Sequence, residues 1–166
     1  MTGFVICDLD GCLSDDRWRR HLLPDENDRT PEAYDRYHLR CAGDMIHEKC
    51  LASVRQVLFG SFGVSQYSEL LIVTARPDRG HIRRSTTLWL RMFIPNIHYT
   101  LLMRPGDSQE HSRDLKPRLL REYFFSIGLA AELGWRQIVA AYDDRQDILD
   151  AYPIEEGRKR LFKIDD

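Results

Sequence analysis

Short apolar runs alternate along this chain with stretches whose apolar residues recur at helical spacing. Phe4-Val5-Ile6-Cys7 is wholly apolar and stops at Asp8, which predicts a buried strand. Leu70-Leu71-Ile72-Val73 is a second such run, ending at Thr74. His98 to Met103 is a third, and Ile138-Val139-Ala140-Ala141-Tyr142 a fourth, ending at Asp143-Asp144. Leu161-Phe162-Lys163-Ile164 predicts a short last strand. Between these runs, Ile46, Cys50, Val54, Val57 and Leu58 fall on one helical face. Ile82, Thr86, Trp89, Leu90 and Phe93 fall on another, and Leu119, Leu120, Tyr123, Phe124 and Ile127 on a third. Gly60 and Gly63 punctuate the end of the first helix, and Pro95-Asn96 follows the second.

Strands alternating with helices imply parallel β-α-β units, hence an α/β fold with a doubly wound parallel sheet covered by helices on both faces. One stretch breaks the alternation. Residues 13 to about 44 are polar and charge-rich, carry Pro24 and Pro31, and have only scattered aromatics (Trp18, Tyr34, Tyr37). They read as an irregular or partly helical insertion after the first strand, placed to sit over the strand ends. No repeat or linker divides the rest, so residues 1–166 form one domain.

The chain carries 24 basic and 26 acidic residues, for a net charge of −2. That balance argues against wholesale wrapping of nucleic acid, which draws on many phosphate contacts, but leaves room for a local basic pocket. The four cysteines form no C-x-x-C pair, which reads as free thiols in a reducing cytoplasm. The six histidines show no zinc spacing, and no segment has the length of a membrane span.

The residues with chemistry to offer share one predicted address. Asp8, Asp10, Thr74 and Asp143-Asp144 lie at or just beyond the C-terminal ends of predicted strands, where open parallel sheets bind ligands. Asp8 and Asp10 are two residues apart, and Gly11 lets the chain turn after them. Asp8 with Asp143 or Asp144 offers the oxygen ligands that Mg²⁺ takes. Lys116 adds a positive charge and Thr74 a hydroxyl donor, which suits phosphoryl transfer. Singly, each has a commoner structural explanation as a cap, a turn or a solvated helix start. Their conjunction, in this order, points to a site.

In that order the residues resemble the haloacid dehalogenase (HAD) superfamily of phosphatases. Asp8-Leu9-Asp10-Gly11-Cys12 is similar to its first motif and Ile72-Val73-Thr74 to its second; Lys116 and Asp143-Asp144 stand for the third and fourth. The resemblance implies that Asp8 attacks phosphorus, that Asp10 is the acid and base, and that Thr74 and Lys116 hold phosphoryl oxygens. Mg²⁺ would be held by Asp8, the Asp10 carbonyl and the fourth-motif acid, with Asp144 favoured over Asp143. Within the superfamily, Arg76 after the second motif, the run Leu101-Leu102-Met103-Arg104-Pro105-Gly106-Asp107 and Asp143-Asp144-Arg145 resemble the 3′-phosphatase domain of phage-type polynucleotide kinases. That implies substrate binding by Arg76, Arg104 and Gly11, a small cap, and a phosphorylated nucleic-acid end as substrate. It also implies a setting in nucleic-acid repair in the cytoplasm of a virus's host. No kinase P-loop motif occurs, so a kinase half would be on another chain. A 5′-nucleotidase would use the same catalytic residues on a nucleotide substrate. A phospho-accepting signalling module would need an Asp at a strand end before Thr74, which this chain lacks.

Overall fold

The computed structural model describes residues 3–25, 27, 28, 30, 32–60, 68–106, 108–154 and 161–164. Pro31, Gly63 and Asp107, singled out above, lie outside the described residues. Five parallel strands form the central sheet: β1 (Phe4–Cys7), β4 (Glu69–Asp78), β5 (Tyr99–Pro105), β6 (Ile138–Asp143) and β7 (Leu161–Lys163). Their spatial order is β5-β4-β1-β6-β7. The chain winds outward from β1 through β4 to β5, then returns to the other side of β1 for β6 and β7. The gap between β1 and β6 is therefore a switch point, and a crevice opens there beyond the carboxyl ends of the strands.

Alternation along each strand loads both faces. Val5 and Cys7 join Leu70, Ile72 and Tyr142 against Val54 and Leu58 of α2 (Glu48–Phe59) and Trp89 and Leu90 of α3 (Gly80–Phe93). Phe4 and Ile6 join Leu71, Val73 and Ala141 against Leu119, Leu120 and Phe124 of α4 (Ser112–Ser126) and Trp135 of α5 (Ala131–Arg136). Ile148 and Leu149 of α6 (Gln146–Leu149) close this second face. Each fully buried aliphatic or aromatic side chain contributes about 1.5–3 kcal/mol, so helices on both faces are needed to keep so apolar a sheet dry.

The polar insertion is ordered by a two-stranded antiparallel stem, β2 (Ser14–Asp15) with β3 (Met45–Ile46). Between these strands lie a 3-10 turn over Arg17–Leu22, the short helix α1 (Asp35–Leu39) and a 3-10 turn over Cys41–Gly43. Ile46, expected on the face of α2, belongs instead to the stem. The helix begins at Glu48, where the His47 side chain accepts the Cys50 amide and so sets the cap. The second strand also runs past its expected end. Thr74 pairs with Met103, the register then slips, and pairing resumes at Pro77 with Arg104. A bulge over Ala75 and Arg76 absorbs the extra residues and re-aims their side chains. Ile127, expected on the buried face of α4, is half exposed at its C-terminal cap.

Candidate active site

Asp8 leaves β1 with its amide donating to the Tyr142 carbonyl, 2.9 Å away on β6. The chain then folds back on itself: the Ser14 amide donates to the Leu9 carbonyl at 2.8 Å, and the Gly11 amide to the Ser14 carbonyl at 3.0 Å. Gly11 has φ +76°, and a Cβ there would stand 2.7 Å from Asp144 Oδ2. Both the left-handed turn and the approach of Asp144 require glycine. Gly11 thus shapes the loop from beneath.

Lys116, buried in α4, carries its ammonium to 2.8 Å from Asp8 Oδ1 and 2.7 Å from Asp143 Oδ2. Asp143 Oδ1 accepts the Arg145 amide at 3.0 Å. Oxygens of Asp8, Asp143 and Asp144 all lie within 4.8 Å of one another. Three carboxylates thus share one ammonium. Burial, reinforced by Asp143 and Asp144, pushes the Asp8 carboxyl well above the usual range, and Lys116 only partly offsets it. Burial and then Asp143 push Asp144 up to about 7. Burial works against the Lys116 ammonium, but Asp8 and Asp143 outweigh it and raise its pKa. This excess of close, buried negative charge fits a hard divalent cation, whose ligands are oxygens. Asp8, Asp143 and Asp144 would hold it.

Asp10 sits in a different environment. Arg76 reaches it with Nε at 3.0 Å from Oδ2 and Nη2 at 2.6 Å from Oδ1, and Arg19 Nη2 also binds Oδ1. Both arginines share Asp44, which is buried. Arg19 Nε lies 2.6 Å from Asp44 Oδ1, and Arg76 Nη2 lies 3.1 Å from Oδ2. Trp89 Nε1 donates to the Asp44 carbonyl at 2.7 Å, and Arg19 stacks on the Tyr37 ring at 3.9 Å. Although burial opposes it, Arg76 and Arg19 hold the Asp10 carboxyl well below the usual carboxylate range.

Both carboxylates, Asp8 and Asp10, face a cavity of about 600 Å³, walled by Lys116 and Asp144 below and by Arg20, Tyr34 and His38 of the insertion above. His38 is buried, stacks on Tyr34, and has an Nδ1 without a hydrogen-bond partner. Burial pulls its imidazole down to about 3, so it is neutral at physiological pH.

The remaining expected residues occupy distinct places. Thr74 is fully buried, and its Oγ1 accepts the Arg76 amide at 3.1 Å, leaving the hydroxyl proton to be donated. Arg76 lies behind Asp10 rather than in the cavity, its guanidinium bound to Asp10, Asp44, Ser14 and Thr86. It is fully buried, and its closest partner is Asp10. Arg104 lines the cavity but spends most of its donors on the chain: Nε on the Ala75 carbonyl at 2.9 Å, Nη1 on the Ser108 and Glu110 carbonyls, Nη2 on Ser112 Oγ. Tyr37 gives its hydroxyl to Asp16, so of the three aromatics in the insertion only Tyr34 offers an uncommitted ring edge to the cavity. Arg145 also lines it, paired with Asp147 at 2.6 Å.

Sequence reasoning missed Arg19, Asp44 and His38. All three come from the aperiodic insertion, where no strand end or helical face marks a residue as buried. Arg19 sits among Arg17 and Arg20 and reads as one more solvated charge. Against family models, curated proteins and solved structures, the chain gives no match.

Proposed function

We propose that this chain is a magnesium-dependent phosphomonoesterase of the HAD type, in which Asp8 becomes phosphorylated and the substrate is a 3′-phosphorylated nucleic-acid end. One observation carries the reading. Asp8 stands at the mouth of a parallel-sheet switch point inside an acid cluster short of positive charge, with a second carboxylate, Asp10, two residues on and facing the same cavity.

In the first half-reaction an Asp8 oxygen attacks phosphorus, the ester oxygen departs, and Asp10 supplies the proton that this oxygen needs. In the second, Asp10 takes a proton from water as that water attacks the phosphorus of the aspartyl-phosphate, and Asp8 leaves as a carboxylate. Arg19 and Arg76 keep Asp10 ionised in the free protein, which suits the second step. For the first, a monoanionic phosphate ester brings the proton, which passes to Asp10, whose proton affinity the bound phosphate raises, and from there to the departing oxygen. In this reading Lys116 balances charge on the phosphoryl oxygens and Thr74 donates to one of them. A bound Mg²⁺ supplies charge neutralisation for both the Asp8 carboxylate and the phosphoryl group. The insertion between β2 and β3 acts as a small cap, with Tyr34 and His38 against the terminal nucleoside.

The nucleic-acid assignment is supported by the size of the cavity, ample for a nucleotide, and by Arg20, Arg104 and Arg145 along it. Steady-state kinetics on 3′-phosphorylated oligonucleotides, 3′-mononucleotides and 5′-mononucleotides test it. kcat/KM should rise from the 3′-mononucleotide to a short oligonucleotide, and that gain should shrink modestly with salt as phosphate contacts release counterions. A preference for 5′-mononucleotides with no gain from chain length would replace the reading with a nucleotidase.

A further inference from the structure

Behind the catalytic loop three thiols meet in space, Cys7 and Cys12 from one strand and its turn, Cys50 from a helix far along the chain. Cys7 ends β1, Cys12 lies in the turn after Asp10, and Cys50 is in the first turn of α2. All three are fully buried. Their sulfurs form a nearly equilateral triangle, with Cys12–Cys50 at 3.6 Å and Cys7–Cys12 and Cys7–Cys50 both at 3.9 Å. A point equidistant from the three lies about 2.2 Å from each, beside the roughly 2.3 Å of a zinc–thiolate bond. Sequence spacing conceals this group, because the three residues form no paired-cysteine motif.

We propose that Cys7, Cys12 and Cys50 bind one thiophilic divalent ion of the zinc class, at a site separate from the carboxylate cluster. The two sites sort ions by softness, sulfur here and oxygen there. Binding displaces the thiol protons to solvent. No fourth His, Cys, Asp or Glu joins the group among the described residues. The Asp8 carbonyl, 3.2 Å from the Cys7 sulfur, is on hand as an oxygen for the remaining position. Such an ion would tie β1, the loop carrying Asp8 and Asp10, and α2 to a single point. Because the site is sealed, it fills as the chain folds.

The test refolds the reduced full-length chain with Co²⁺ or Cd²⁺ in the presence of excess Mg²⁺, which occupies the carboxylate site. A thiolate-to-metal charge-transfer absorption should appear and saturate at one equivalent. It should vanish in Cys50→Ser and in Cys12→Val, the latter keeping the packing. It should persist in Cys41→Ser, which removes the buried thiol outside the group, and in Asp8→Asn. Zn²⁺ should raise the Tm of the wild type and not of Cys12→Val. Absence of the band in the folded wild type, or a band unchanged in Cys12→Val, would overturn the site. The readout uses no substrate, so it stands or falls independently of the phosphatase reading.

Discussion

Two buried ionic clusters meet at the loop from Asp8 to Asp10, and they differ in their charge balance. Around Asp8, three carboxylates face one ammonium; around Asp10, two carboxylates (Asp10, Asp44) face two guanidinium groups (Arg19, Arg76). The consequence is visible in the protons. The carboxyls of Asp8 and Asp144 are pushed up, whereas that of Asp10 is pulled down. A balanced buried network holds its members in place and needs nothing further. An unbalanced one is an invitation to a cation. Adjacent carboxylates on one short loop thus receive opposite proton affinities from their surroundings rather than from their own chemistry.

The largest expected effect is on the unbalanced side. Asp8→Asn should lower turnover of an aryl phosphate by at least about four orders of magnitude, as loss of a nucleophile does, and leave no phosphoenzyme. Because it also removes one of three mutually repelling charges, the metal-free variant should be at least as stable as the wild type in urea. A trapped phosphoenzyme in this variant would remove Asp8 from its role. Asp44→Ala should behave in the opposite way. It strips the partner from two buried guanidinium groups, and urea unfolding should show a loss of about 3–5 kcal/mol. A loss under about 1 kcal/mol would mean that the arginines find other partners and that the network is not a unit.

Metal addition separates the clusters next. Mg²⁺ at 100 times its Kd should stabilise the wild type by about 2.7 kcal/mol. Asp144→Asn should lose most of that gain, and Arg19→Lys, on the balanced side, should keep it. Thermal melts with and without chelator measure both. Equal Mg²⁺ stabilisation of all three proteins would place the cation elsewhere.

The two clusters were also unequally legible. Asp8, Asp10 and Asp143-Asp144 could be found because each follows an apolar run, and the end of a buried strand is where such a run must meet solvent. The order of elements gave the parallel sheet for the same reason. Thr74 is not a strand end, since a bulge carries β4 on to Asp78. Arg76 looked like a substrate contact from its position after Thr74, yet that bulge turns it inward to Asp10. Arg19 and Asp44 had no signal at all: their burial depends on how an aperiodic insertion folds over the sheet, which no local pattern encodes. The thiol triangle was hidden likewise, because only the tertiary fold brings Cys50 to Cys7 and Cys12.

The smallest effect follows from what a balanced cluster lacks. His38 lies beside Asp10, whose charge favours an imidazolium, but burial outweighs it, and Arg76, Arg19 and Arg104 add to burial. Its pKa in the folded chain is about 3, below the 6.5 of an exposed histidine. Below pH 6.5 the unfolded chain binds a proton that the folded chain refuses. The stability that His38 contributes is therefore full above pH 6.5 and is lost as pH falls from there toward 3. Between pH 7 and pH 5 the loss should be about 2 kcal/mol. Asp144, pushed up to about 7, titrates in the opposite sense over the same window, so a single pH curve would blur the two. Comparing wild type with His38→Phe, which keeps an aromatic ring on Tyr34 but cannot titrate, isolates the term. The stability difference between them should shift by that amount in favour of His38→Phe as pH falls from 7 to 5. A difference that stays flat would mean that the imidazole gains a proton in the folded state, and that the cluster around Asp10 carries more negative charge than its two arginines cancel.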